Sequence, residues 1–421
     1  MANTEGSYTT SVHEGILQSL LHDHSSLLRV VRSLVADEVS VSRGCSSLQQ
    51  ESLAWPTDAP LKEGGIGLDS LEMNDVAARL SQFFRMYEVG IEDYLLLDPT
   101  LESLTEVVAQ SLSIKGEQLT FLTSGSTGVP KPCDQELADI QRDATFINDL
   151  VEPQRVISLV PPHHIYGFIY SVLLPLYREC PVVDVRYWSP GKLRACLCPG
   201  DLVVGTPYLF KNFVRFLGRV PKGLTALCST SPLSPGTLQQ MQSADFEMIY
   251  NIYGSSETGG IGWRLEPNSE FHIFPWLSIH KDESSEYGDA VLHSHNTNGA
   301  IHQPLMDRIR LSEDRLQFEV LGRRDSAVQI GGENVFPSTI EAIINALPFV
   351  SSCAVRPTNA SDGATNRLEA IVTGNGQLSP GALEIALYQH CRENMTERMR
   401  PARIIIRDHV MLNDMGKAVS A

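Results

Sequence analysis

Residues 123–131 read TSGSTGVPK. Thr123, Ser124, Ser126 and Thr127 offer hydroxyl donors, Gly125 and Gly128 free the backbone to bring amides close to a ligand, and Lys131 adds a cation. Those groups suit a chain of phosphates. The spacing is not the Gly-x4-Gly-Lys-Ser/Thr of P-loop nucleotide hydrolases, because Lys131 follows Pro130 and no Ser or Thr comes after it. Alone, such a stretch serves equally as a solvated turn. Four further segments carry reactive side chains in order: VPPHHIYGF (160–168), NIYGSSETG (251–259), GRRDSAVQIGGENVFPSTIE (322–341) and NDMGKA (413–418).

Elements must hold these groups. Leu119-Thr120-Phe121-Leu122 reads as a short buried strand running straight into the loop. VVGTP (203–207), LTALCST (224–230) and EMIYNIYG (247–254) read as strands separated by helical patterns such as LFKNFVRFLG, which predicts a βα-layered large domain. Thr230, Ser231, Pro232, Ser255 and Gly259 to Gly262 are candidate pocket walls. Upstream, residues 15–36 space apolar side chains for one amphipathic helix, LDSLEMNDVAARLSQFF for a second, and the run from Thr100 to Leu112 for a third.

A chain of 421 residues implies two or three domains. Residues 1–112 hold 17 Asp and Glu against 6 Lys and Arg, so most of the overall charge of −17 sits there. That excess argues against nucleic acid and anionic membranes as partners. The opening MANTEGSYTT is not a basic segment followed by an apolar one, and no run suits a membrane span, so the expected location is cytoplasmic. Eight scattered cysteines read as reduced thiols.

GIGLDSLE (65–72) resembles the modification site of acyl and peptidyl carrier proteins. The resemblance implies a carrier-like helical module over 1–112, with 4'-phosphopantetheine on Ser70 placed there by a phosphopantetheinyl transferase. Ser70 also fits a plain helix start. Residues 113–118 would span at most about 20 Å extended. Loading between chains, and with it a homo-oligomer, is therefore as acceptable as loading within one.

The five ordered segments resemble the adenylate-forming superfamily of acyl- and aryl-CoA ligases, adenylation domains and luciferases. The resemblance implies a multidomain chain: the all-α module at 1–112, an N-terminally truncated α/β adenylation domain at 113–324, and a small α+β C-terminal domain at 325–421. It implies ATP and Mg²⁺ as cofactors and a small carboxylic acid as substrate, joined to the α-phosphate and then passed to a thiol. Thr123, Ser124, Gly125, Ser126, Thr127, Gly128 and Lys131 would hold the β- and γ-phosphates, and Glu257 the metal. Tyr253 would stack on adenine, Ser256 face the α-phosphate, and Asp307 and Arg323 bind the ribose. His164 would lie beside the carboxylate, leaving His163 structural, and Gln329 receives no role. Asp325 would be the hinge that exchanges Lys417, the adenylation lysine, for the thiol-accepting face around Gly331-Gly332. The implied function is an ATP-dependent ligase that loads an aryl or fatty acid onto a carrier-protein thiol. The alternatives are a synthetase releasing a CoA thioester, or a carrier with a vestigial nucleotide domain.

Overall fold

The computed structural model describes residues 15–45, 47–122, 131–268, 270–282, 289–296, 299–305, 307–323, 328–330, 333–358, 367–397 and 399–407. The chain forms two compact units, Met1–Ser269 and Glu270–Ala421. This division differs from the boundaries at 112/113 and 324/325 that the motifs suggest.

The first unit begins with helices. The single helix expected over 15–36 is broken at Asp23, whose side chain accepts the N–H groups of Ser25 and Ser26 and so starts a new helix, α1 (His24–Arg43). An aspartate ahead of two serines is a strong N-cap, and here it overrides the apolar periodicity. Gly44 ends α1 in the left-handed conformation, φ 59°. Helix α2 (Ser70–Phe83) opens on a capping box between Asp69 and Glu72. Arg43 reaches back from α1 with a two-pronged contact to Glu72, 2.5 and 2.7 Å, which holds that carboxyl below its usual range. Helix α3 (Leu101–Ile114) starts at Thr100, and α1 packs on both α2 and α3.

Strands β1 (Gln118–Leu122) and β2 (Pro132–Glu136) follow as an antiparallel pair, with Thr120 opposite Asp134. Helix α4 (Leu137–Val151) leads into a sheet built from β3 (Arg155–Ser158), β4 (Val182–Asp184), β5 (Asp201–Gly205), β6 (Thr225–Cys228), β7 (Met248–Ser255) and β8 (Gly259–Leu265). Within this unit the order is β4-β3-β5-β6-β7-β8, parallel except for the β7–β8 pair. Every residue of β5 is buried, as expected of a parallel strand covered on both faces. Ile157, Val203, Phe210, Phe213, Ala226 and Met241 form one side of this core.

The described helices of residues 15–112 are not a free-standing bundle. A three-helix module would bury one stripe of α1, yet its buried residues include the unbroken run Ser33, Leu34, Val35, Ala36 beside Val30 and Val31, so the helix is enclosed on several sides. The helices meet the segments around the nucleotide-side strands. Phe83 of α2 packs edge-to-face on Phe121 of β1 at 5.1 Å and on Phe168 at 6.2 Å, and Phe121 meets Phe168 at 5.6 Å. Arg29 donates to the Ser171 carbonyl, Tyr187 donates to Gln49 at 2.7 Å, and Arg85 pairs with Asp134 at 2.6 Å. Burial pulls the Arg29 guanidinium down to about 10.

In the second unit, β13 (Asp307–Leu311) pairs with β14 (Gln317–Arg323), which also pairs with β9 (Phe271–Ile273). A separate meander is formed by β10 (Leu277–Asp282), β11 (Asp289–Asn296) and β12 (Gly299–Pro304). Nearer the C-terminus, β17 (Val350–Thr358), β18 (Arg367–Gly374) and β19 (Arg403–Ile406) form a three-stranded sheet. Helices α5 (Pro337–Asn345) and α6 (Pro380–Asn394) cover it through Ile340, Ile344, Leu383 and Leu387. No disulfide forms among the eight cysteines, and no described helix is long and apolar enough to cross a membrane.

Candidate active site

Ligands of open α/β sheets bind beyond the carboxyl ends of the strands. In the first unit those ends carry several of the residues singled out in the sequence, together with Thr206. His164 follows β3, Thr206 follows β5, Thr230 follows β6, and β7 bears Tyr253 and runs into Ser256 and Glu257. Strands β3 and β7 are separated by β5 and β6, so their tips lie about 14 Å apart at the usual strand spacing.

The histidine segment is fixed from both sides. A Cβ on Gly167 would fall 2.0 Å from the Pro161 carbonyl oxygen, so only glycine permits this approach. The Phe168 N–H donates to the His164 carbonyl at 2.7 Å, and half-buried His164 starts the helical turn. The neighbouring His163, whose ring lies 4.5 Å from that of His164, is 2% exposed and contacts the Ser33 hydroxyl of α1 through Nδ1 at 2.9 Å. The Asp37 carboxylate stands 3.5 Å from its Nε2. Burial, reinforced by His164, Arg79 and Arg186, holds His163 well below the ordinary imidazole value of 6.5. A neutral buried histidine stabilises the fold above that value, and the contribution is lost as pH falls below it, by about 1.4 kcal/mol per unit. His163→Gln should therefore show a shallower acid loss of stability than the parent in urea unfolding at pH 7.5 and 5.5.

The carboxylate turn is equally defined. Gly254 lies where a Cβ would meet the Gly259 carbonyl oxygen at 2.3 Å, and the β7–β8 register shifts between Tyr253 and Gly254. Within the turn, Thr258 Oγ1 accepts the Ser255 N–H at 3.2 Å and lies 3.0 Å from the Ser255 hydroxyl. Glu257 is exposed at the tip and makes no hydrogen bond or ion pair with the described residues. Burial, then the Glu257 and Asp134 charges, push the Cys133 thiol up to about 11 while Lys131 opposes them. Glu257 and Lys131 therefore lie within electrostatic reach of one β2 side chain. An exposed carboxylate amid hydroxyls fits Mg²⁺, which commonly takes one or two carboxylates plus phosphates and water.

Thr230 holds φ 80° with its hydroxyl buried and unpaired, a strained conformation for a β-branched residue. In the second unit, Asp307 and Arg323 face each other in the β13–β14 register, so the two residues expected at the ribose share one strand pair. The loop 123–130, Asp325, Gly331, Gly332 and Lys417 lie outside the described residues, whereas Lys131 is described and exposed at the start of β2. Ser70 is exposed as the first residue of α2, beside the Asp69 cap. Sequence reasoning missed Gln135 and Asp143, which carry no motif. Gln135 Nε2 donates to the Ser256 carbonyl at 2.6 Å, and Asp143 accepts the Gly260 N–H at 2.7 Å.

The AMP-binding enzyme profile matches residues 97–277. A 4-coumarate–CoA ligase of Halorhodospira halophila is 32% identical over 401 residues, covering 93% of this chain and 97% of its own length. One from Rhodobacter capsulatus is 31% identical over 400 residues, covering 93% and 98%. The fold resembles o-succinylbenzoate CoA synthetase of Bacillus subtilis solved with its acyl-adenylate intermediate, at TM-score 0.58, 18% identity and 71% and 67% coverage. It also resembles ATP-bound MatB of Rhodopseudomonas palustris, at TM-score 0.62, 16% identity and 93% and 91% coverage. The chain belongs to the AMP-binding enzyme family and is an acid–thiol ligase. A match over 93% of the chain takes in most of residues 1–112, so the helical segment aligns with ligases rather than standing outside them.

Proposed function

We propose that this enzyme joins an aryl or acyl carboxylic acid to AMP and passes the acyl group to the thiol of free coenzyme A. The observation that carries the choice of acceptor is the shared core of the N-terminal helices and the site: Phe83 sits against Phe121, at the strand entering the phosphate loop, and against Phe168, in the histidine segment. A swinging carrier module requires independence that this packing denies. The 4-coumarate–CoA ligase relatives favour an aromatic acid of the hydroxycinnamate type.

In this reading the 123–131 loop with Lys131 binds the β- and γ-phosphates, Tyr253 packs on adenine, and Ser256 meets the α-phosphate. Asp307 and Arg323 take the ribose, and His164 borders the acid. Glu257 holds Mg²⁺, which when bound neutralises charge developing on the leaving pyrophosphate. Lys417 steadies the carboxylate oxygen as it attacks the α-phosphate, and movement about Asp325 then opens the thiol path. The test is exchange of labelled pyrophosphate into ATP across a panel of aromatic and aliphatic acids. Exchange with at least one aromatic acid is expected, and its absence with folded protein across the panel would overturn the reading.

A further inference from the structure

The turn that carries Glu257 is held by two side chains from the chain just past the phosphate loop. Gln135 lies four residues beyond Lys131 on β2 and donates through Nε2 to the Ser256 carbonyl, on one flank of Glu257, at 2.6 Å. Asp143 lies on α4, the next element, and accepts the Gly260 N–H, on the other flank, at 2.7 Å. Both side chains are almost fully enclosed, Gln135 at 8% and Asp143 at 3% exposure. Between these anchors the turn is closed by the Ser255–Thr258 contacts, and only the Glu257 side chain is left exposed at its tip.

The β1–β2 pair makes the arrangement stiff. Thr120 donates to Asp134 at 2.6 Å across the pair, Asp134 is held by Arg85, and the loop 123–131 is the connection between the two strands. Rigid elements locate a binding group to a fraction of an ångström when a second layer of hydrogen bonds fixes its support. The sequence separations of 121 and 117 residues mean that neither bond is a by-product of local folding.

We propose that Gln135 and Asp143 are positioning residues that fix the turn carrying Glu257 from both flanks, so that its carboxylate is held ready for Mg²⁺. This rests on the assignment of Glu257 under the proposed function. Burial pushes the Asp143 carboxyl well above its ordinary value. Asparagine matches it in shape and retains an oxygen for the Gly260 N–H.

The test is calorimetric binding of α,β-methylene ATP to the full chain, with and without Mg²⁺, alongside urea unfolding. Gln135→Met keeps volume but removes the donor, Asp143→Leu removes the acceptor, and Asp143→Asn restores it. The magnesium-dependent gain in affinity is expected to fall about tenfold in Gln135→Met and Asp143→Leu, since each loses a bond supporting a metal ligand, and to stay within about twofold of the parent in Asp143→Asn. Affinity without Mg²⁺ should change less than the magnesium-dependent gain in all three, whereas a general loss of fold would lower both alike. A folded Gln135→Met with the parent's magnesium dependence, or an Asp143→Asn as impaired as Asp143→Leu, would overturn the proposal while leaving the ligase reading intact. A parent chain without magnesium-dependent binding would overturn both.

Discussion

Glu257→Gln is expected to lower carboxylate-dependent pyrophosphate exchange by roughly two to three orders of magnitude, the usual loss when one preorganised group facing developing charge is removed. The carboxylate stands exposed at its turn and makes no hydrogen bond or ion pair with the described residues. Its substitution should therefore leave the urea midpoint unchanged. Stability and chemistry separate at this position, so a drop in exchange cannot be assigned to unfolding. Exchange at the parent rate would remove Glu257 from the metal site.

The second large effect is structural. Phe83 is fully buried and meets three aromatic rings, Phe84 at 4.8 Å, Phe121 at 5.1 Å and Phe168 at 6.2 Å. Phe83→Ala should cost about 3–5 kcal/mol, the range for emptying an aromatic site in a packed core. Exchange activity should fall with it, because Phe121 enters the phosphate loop and Phe168 closes the histidine segment. In a carrier module tethered to a separate ligase, the same substitution would weaken only the module. Urea unfolding followed together with exchange distinguishes the two, and retained activity in a chain whose helices have melted would refute the shared core.

Strands β5, β6 and β7 were legible, whereas β3 and β4 were not, because burial on both faces leaves short apolar runs such as Leu202-Val203-Val204, punctuated by Thr206 and Pro207 at the following helix start. The histidine and carboxylate turns were legible because close backbone approaches leave glycines at fixed places, Gly167 and Gly254. The N-terminal helices misled for a physical reason. Asp-Ser-Leu at a capped helix start and an acidic surface also describe a carrier, and the discriminating fact, that α1 is enclosed on several faces, depends on partners more than a hundred residues away such as His163 and Ser171. Gln135 and Asp143 left no trace in the sequence for the same cause, since a side chain reaching a distant backbone group needs no characteristic spacing.

The most direct measurement is mass spectrometry of the products after incubation with ATP, Mg²⁺, coenzyme A and an acid that supports exchange, using the parent and Ser70→Ala. The acyl group should appear on free coenzyme A, with equal yield from both proteins, because Ser70 only begins a capped helix. Acyl-phosphopantetheine found on Ser70, with no product from the alanine variant, would contradict the account.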